Sequence, residues 1–82
     1  MESPLVQIRE RFGLKKENLA ILLDISLPTL NRIEAGMAKI PQKCFGGLRE
    51  LKQDPEKIAE QQLLFIEEKK RQILKSLKLG KD

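Results

Sequence analysis

The sequence contains no histidine, tryptophan or tyrosine, and Cys44 is its only cysteine. A single cysteine excludes an intramolecular disulfide, and without histidine neither a Cys/His metal site nor the commonest general base is available. The few hydroxyl side chains lie in no nucleophile elbow and in no glycine-rich phosphate loop. Cys44 is most simply a small buried apolar residue. We therefore expect a protein that is not an enzyme and that binds no metal and no cofactor.

Long apolar runs are also missing from the chain. No stretch approaches the ~18 apolar residues of a membrane-spanning helix, and the N-terminus carries an acidic residue but no apolar signal segment. We expect a cytoplasmic protein with no membrane partner. The net charge is +4, and residues 1–53 contribute nine basic against six acidic side chains. This excess of positive charge indicates an anionic partner such as nucleic acid.

Prolines, glycines and capping residues divide the 82 residues into five expected helices and leave no strand signal. The helices cover about residues 4–12, 15–23, 27–35, 41–51 and 55–79, and the last one is expected to end at Gly80. A chain of this length forms one small domain at most, so an all-α domain is expected. Gly46 and Gly47 each lower helix propensity by about 1 kcal/mol, so we expect close helix packing around them.

The second and third helices are short and are joined by a tight turn. These are the proportions of a helix-turn-helix unit, which presents its second helix to a groove of DNA. Helical spacing places an apolar set on the inward faces, namely Leu14, Leu19, Ala20, Leu23, Ile25, Leu30 and Ile33. The same spacing leaves Leu27, Pro28, Asn31 and Arg32 on an outward face. An ordinary helical hairpin in a small bundle fits this pattern equally well.

A set of residues spread over roughly residues 5–52 carries a family resemblance. The set comprises Ile8-Arg9, Gly13-Leu14, Leu19-Ala20, Leu23-Asp24-Ile25-Ser26, Thr29-Leu30, Ile33-Glu34, Gly36, Lys39 and Pro41. In these residues the chain resembles the phage Cro/repressor-type (XRE-like) helix-turn-helix domains. The resemblance implies a five-helix repressor-like fold that binds double-stranded operator DNA, usually as a dimer on a palindromic site.

The resemblance also implies roles for individual residues. Base-reading positions fall on Leu27, Pro28, Asn31 and Arg32, where Asn31 suits adenine and Arg32 suits guanine. DNA phosphate contacts fall on Lys15, Lys16, Ser26, Thr29, Lys39 and Lys43, with a solvated surface lysine as an equal alternative for Lys43. Arg9 and Glu34 correspond to a structural ion pair, and the alternative is two independent surface charges.

The chain departs from the family pattern at several positions. Leu27 and Pro28 stand where polar base readers are usual, and they can contact thymine methyl groups but cannot hydrogen-bond base edges. Asp24 stands in the turn where glycine is usual. The exposed apolar residues Ile21 and Leu22 stand where relatives usually carry polar residues. Of these departures, Leu27 and Pro28 are the ones that count against strong sequence-specific readout.

Residues 55–79 contain an apolar repeat with alternating spacings of four and three, formed by Ala59, Leu63, Ile66, Lys70, Ile73 and Leu77. This repeat is a heptad seam with one lysine interruption, and Leu64, Phe65 and Leu74 widen it. We expect residues 1–53 to form the helix-turn-helix domain and residues 54–82 to form a long helix. Its first half is expected to dock on the domain and its second half to project.

The projecting half calls for a partner because it carries apolar side chains. The residues assigned to this contact are Leu63, Ile66, Ile73, Leu74 and Leu77. A second copy of the chain is the simplest partner, and a cognate protein is the alternative. A third arrangement folds the helix back over Ile21 and Leu22.

These observations predict a sequence-specific DNA-binding transcriptional regulator, a repressor or autoregulator, that acts as a homodimer. The alternative from a different class is a protein-interaction module, such as an antitoxin whose C-terminal helix clamps another protein. In a third interpretation the chain binds RNA or DNA without sequence preference, and lysines then matter more than Asn31 and Arg32.

Overall fold

In the computed structural model, which describes residues 1–77, the chain forms five α-helices. Their bounds are α1 Pro4–Arg11, α2 Lys16–Leu22, α3 Leu27–Glu34, α4 Phe45–Glu50 and α5 Pro55–Ser76. No strand occurs within residues 1–77, so the predicted all-α fold class is confirmed. The helix end predicted at Gly80 lies outside the described residues.

Three helices begin at a side-chain cap. Ser3 Oγ accepts a hydrogen bond from the Leu5 N–H at 3.3 Å, and Ser26 Oγ accepts one from the Thr29 N–H at 3.2 Å. Asp54 Oδ1 accepts from the N–H groups two and three residues further on. Proline occupies the first or second position of each of these helices, where its missing N–H would have no partner within the helix. Local sequence therefore determines where these helices start.

The α-helical part of the fourth segment begins four residues after the predicted start at Pro41. Pro41 has an extended backbone, and the Cys44 N–H donates to the Pro41 carbonyl oxygen at 3.0 Å. This bond closes a 3₁₀ turn over Gln42–Cys44, and α4 continues from Phe45. Pro41 thus precedes the helix as a cap because its ψ of 150° is not helical.

α4 packs closely against the end of α2 through Gly47. A Cβ atom at Gly47 would overlap the carbonyl oxygen of Leu22 and would lie 3.1 Å from Leu23 Cδ2. At Gly46 nothing in residues 1–77 outside the local helix lies within 4 Å of the corresponding position. The predicted close packing therefore applies to Gly47 and is wrong for Gly46.

One apolar core joins the first four helices to the start of α5. Its buried members are Leu5, Ile8, Leu19, Ala20, Leu23, Ile25, Leu30, Ile33, Ile40, Cys44, Leu48 and Ile58. Burial raises the pKa of the Cys44 thiol to about 11, which fits a buried apolar residue better than a reactive thiolate. Leu27 is half-buried and packs partly against this core, so the prediction that it faces outward is wrong. The reason is helical spacing, because Leu27 lies three residues before the buried Leu30.

The first half of α5 docks on the core, whereas the second half extends beyond it. Pro55, Ile58, Gln62 and Phe65 are buried, and every side chain from Lys69 to Leu77 is exposed. The apolar pattern groups Phe65 with the heptad seam that it widens, and the structure buries it on the face that docks on the core. Phe65 lies seven residues after Ile58 and three after Gln62, and this spacing puts the three side chains on one helix face.

Ile21 and Leu22 at the end of α2 stay exposed, Ile21 at 75% of its surface. Because the second half of α5 is exposed as well, the helix does not fold back over them within residues 1–77. The projecting part of α5 contributes to an elongated outline of 46 × 22 × 21 Å.

Candidate functional site

α3 has one buried face and one exposed face. Leu30 and Ile33 are fully buried, and Pro28, Asn31 and Arg32 are exposed on the opposite side. Three of the four predicted base-reading residues therefore share one accessible surface. The fourth, Leu27, is half-buried and packs against the core.

The turn before α3 gives the helix a fixed entry. Asp24 adopts the left-handed backbone conformation with φ of 60°, a position usually held by glycine, which aspartate tolerates better than most residues. The flanking residues Leu23 and Ile25 are both buried, so the turn is anchored on either side of Asp24. The Ser26 hydroxyl accepts from the Thr29 N–H and donates to Thr29 Oγ1 at 2.9 Å. Both predicted phosphate-contacting hydroxyls thus also serve as the cap of α3.

The structure brings Arg9 and Glu34 together as an ion pair between α1 and the end of α3. Arg9 Nε donates to Glu34 Oε2 at 3.0 Å, and Arg9 Nη2 donates to Oε1 at 3.3 Å. The Glu34 side chain is 7% exposed and the Arg9 side chain 21% exposed. The hydrogen bond to Glu34 is the main cause that raises the pKa of Arg9 above its ordinary value, and burial partly opposes it. This two-pronged contact fixes the C-terminal end of α3.

Lys16 at the start of α2 reaches across to α3. Its Nζ donates to Asn31 Oδ1 at 3.1 Å and lies 3.8 Å from Glu34 Oε1. The family resemblance implies a phosphate contact for Lys16 and a base contact for Asn31, and it gives no indication that the two side chains touch. The cluster contains the Glu34 carboxylate and two cations, Arg9 and Lys16, so it keeps a net positive charge.

The other predicted phosphate-contacting lysines are exposed. Lys15 precedes α2 in an extended conformation, and Lys39 lies in the loop after α3. Lys43 lines a surface depression together with Asp24 and Ser26, which places it beside the N-terminal end of α3. Cationic side chains therefore stand next to both ends of α3.

Gln62 in α5 forms a buried polar network that sequence reasoning missed. Its Oε1 accepts from the Ser3 hydroxyl at 2.7 Å. Its Nε2 donates to the carbonyl oxygens of Ile33 at 2.8 Å and Ala38 at 3.0 Å. The side chain thus joins the start of α1, the end of α3 and the following loop to α5. The spacing from Ile58 to Gln62 was the signal that could have placed it on the core-facing side.

A set of apolar side chains runs along α5 on a second face, about a quarter turn from the core-facing one. We call Leu63, Ile66, Ile73, Leu74 and Leu77 the distal stripe. Ile66 is half-buried, and the other four are 47–57% exposed. All five predicted partner-contacting residues thus remain accessible.

Comparison of the chain with protein-family models, curated proteins and solved structures found no match. None of the helices within residues 1–77 combines the length and the apolar composition needed to cross a membrane.

Proposed function

We propose that this protein is a sequence-specific DNA-binding transcriptional regulator, a repressor or autoregulator, that acts as a homodimer. The observation that carries the proposal is the exposed face of α3. Pro28, Asn31 and Arg32 are displayed on a helix whose start is capped by Ser26 and whose end is tied down through Glu34. Because both ends of this short helix are held on the domain, the direction in which its outer residues point is set, and such a helix can be placed in a major groove to read bases.

The charges around α3 support binding to a phosphate backbone. Lys15, Lys39 and Lys43 are exposed, and Lys43 lies beside the start of α3. Contacts of this kind position a protein on DNA without reading the sequence, whereas Arg32 is suited to the two acceptors of guanine. The domain thus offers both classes of contact among its exposed side chains.

The distal stripe supports the homodimer. It lies apart from the core-facing side of α5, and three of its members, Ile73, Leu74 and Leu77, lie beyond the docked half. A second copy would cover these side chains from water. It would also provide a second α3, as a palindromic site with half-sites about 34 Å apart requires.

Selection of bound sequences from a random DNA pool tests the proposal. Wild-type protein should enrich a palindrome, and Arg32→Ala should lose about 1–3 kcal/mol on that site and relax one base position per half-site. Arg71→Ala is the matched control, because it removes the same charge from the exposed second half of α5. Equal losses for Arg32→Ala on the preferred site and on random DNA would contradict base reading by Arg32. Binding with no enriched sequence would favour an unspecific nucleic-acid binder.

Sedimentation of a stripe variant tests the dimer. Leu77→Asp places an anion in the proposed contact and should produce monomers with unchanged helix content, because the core of residues 4–51 lies elsewhere. Gln72→Asp makes the same change of charge on another side of α5 and should leave the dimer intact. A Leu77→Asp protein that remains dimeric would exclude the distal stripe as the main interface.

The second candidate function is a protein-interaction module that clamps another protein, as an antitoxin does. The same observation favours it, because the exposed stripe needs a covering surface and a different protein can supply one. A wild-type protein that is monomeric at high concentration and enriches no DNA sequence would support this candidate against the regulator.

A further inference from the structure

The contact between Lys16 and Asn31 determines which way the asparagine amide faces. An ammonium group only donates hydrogen bonds, so the atom 3.1 Å from Lys16 Nζ must be the amide oxygen Oδ1. The amide nitrogen Nδ2 is therefore left for any other partner. Asn31 thus offers two donors on the exposed face of α3, and its oxygen already accepts one hydrogen bond from Lys16, with the remaining lone pair beside that positive charge.

Lys16 is itself held in place. Its Nζ lies 3.8 Å from Glu34 Oε1, and the Glu34 carboxylate is fixed by two hydrogen bonds from Arg9. The ammonium group is therefore attracted toward α3 by an anion that cannot move away. Water weakens this contact in the free protein, and exclusion of water by a bound duplex would strengthen it.

We propose that Lys16 is a specificity-determining residue that restricts Asn31 to bases whose major-groove edge presents only acceptors, and that guanine is the base it favours. This inference rests on the proposed DNA-binding function. Paired recognition of adenine requires the amide to donate to N7 and to accept from N6 at Oδ1, where the Lys16 ammonium already donates and its positive charge disfavours a second donor. Guanine presents N7 and O6, which are both acceptors, so the two donors of Asn31 suit it. Lys16 acts here by positioning Asn31, not by neutralising a phosphate.

Base selection by four proteins tests this role. They are the wild type, Asn31→Ala, Lys16→Met and Lys15→Met, each selected from the same random DNA pool. The position read by Asn31 is the one whose base preference disappears in Asn31→Ala. The wild type should prefer guanine there, and Lys16→Met should shift the ratio of guanine to adenine toward adenine by about fivefold or more. Lys15→Met removes the same charge one residue earlier and should weaken binding to all sequences while keeping guanine.

A measurement without DNA tests the contact itself. The side-chain amide signals of Asn31 in a nitrogen-15 NMR spectrum should shift in Lys16→Met and stay in place in Lys15→Met. Unshifted signals in Lys16→Met would show that the hydrogen bond is absent and would overturn the inference. A uniform loss of affinity in Lys16→Met with guanine retained would also overturn it and would make Lys16 a phosphate contact. If the wild type enriches no sequence, the proposed function fails, whereas guanine retained in Lys16→Met refutes the inference alone.

Discussion

Replacing the buried Gln62 with leucine should destabilise the fold strongly. The glutamine side chain is fully buried and makes three hydrogen bonds, to Ser3, Ile33 and Ala38. Leucine has a similar size but no polar atom. The groups that bond Gln62 in the wild type would therefore lose the hydrogen bonds that its amide makes. The decrease in the free energy of unfolding therefore measures how strongly Gln62 joins α5 to the end of α3.

The magnitude follows from what each partner retains. The Ser3 O–H loses its acceptor although Ser3 Oγ still accepts from the Leu5 N–H, and the part-buried Ala38 carbonyl loses its donor, whereas the Ile33 carbonyl still accepts from the Gly36 N–H at 3.0 Å. A buried donor left without a partner costs about 1–3 kcal/mol, and the Ala38 carbonyl costs about 1 kcal/mol because it is only part-buried, so the two losses cost about 2–4 kcal/mol. The greater apolarity of the leucine side chain offsets roughly 1 kcal/mol of this. We expect a net loss of about 2 kcal/mol, which lowers the Tm of a domain this small by roughly 8–16 °C.

Urea unfolding followed by circular dichroism measures this loss. Gln61→Leu is the matched control, because it makes the same change at the adjacent exposed position and should stay within about 0.5 kcal/mol of the wild type. In a double-mutant cycle, Ser3→Ala and Gln62→Leu should show a coupling of about 1 kcal/mol because the two side chains share a hydrogen bond. Equal stability of the Gln61 and Gln62 variants would refute the network as a source of stability.

Three further predictions concern packing, burial and the ion pair. Gly47→Ala should destabilise by about 1–3 kcal/mol because its methyl group meets a backbone oxygen that cannot rotate away, whereas Gly46→Ala should stabilise by about 0.5–1 kcal/mol. Thermal unfolding compares the two, and shifts of the same sign would contradict the close approach of α2 and α4. Because burial raises the pKa of Cys44 from 9.0 to about 11, native protein at pH 8 should react with iodoacetamide at least ~10-fold more slowly than unfolded protein. Equal labelling rates for native and unfolded protein would refute the burial of Cys44. The raised pKa also means that the contribution of Cys44 to the free energy of unfolding is present below pH 9 and is lost between about pH 9 and 11. Glu34→Gln should lower the free energy of unfolding, measured with urea, by about 1–3 kcal/mol because it weakens two charge-assisted hydrogen bonds with Arg9. An equal loss when the same change is made in Arg9→Met protein would show that the two residues act independently.

The sequence alone determined where α1, α3 and α5 start and where the turn before α3 lies. Ser3, Ser26 and Asp54 accept bonds from N–H groups only two or three residues away, so a short stretch of chain contains both partners. Asp24 and Gly36 adopt positive φ at the ends of their helices, and their residue types allow this conformation locally. The inward positions of α2 and α3 were likewise readable from helical spacing.

The tertiary structure decided which face of α5 meets the core. The sequence offers two apolar faces on this helix, and the seam that contains Leu63 and Leu77 has the more regular repeat. Burial instead selects the face with Ile58, Gln62 and Phe65, because Gln62 finds its partners on α1, on α3 and in the following loop. The residue pattern of α5 cannot indicate these partners, because they lie 24–59 residues away along the chain.

The same limit applies to Lys16. Its partners Asn31 and Glu34 lie on another helix, and the contact depends on the angle at which α2 and α3 pack. Residue types alone indicate that a lysine attracts phosphate and that an asparagine reads a base. Only the packing of the two helices brings the ammonium group to the amide oxygen, because a distance between side chains on different helices is a property of the folded chain and not of spacing along it.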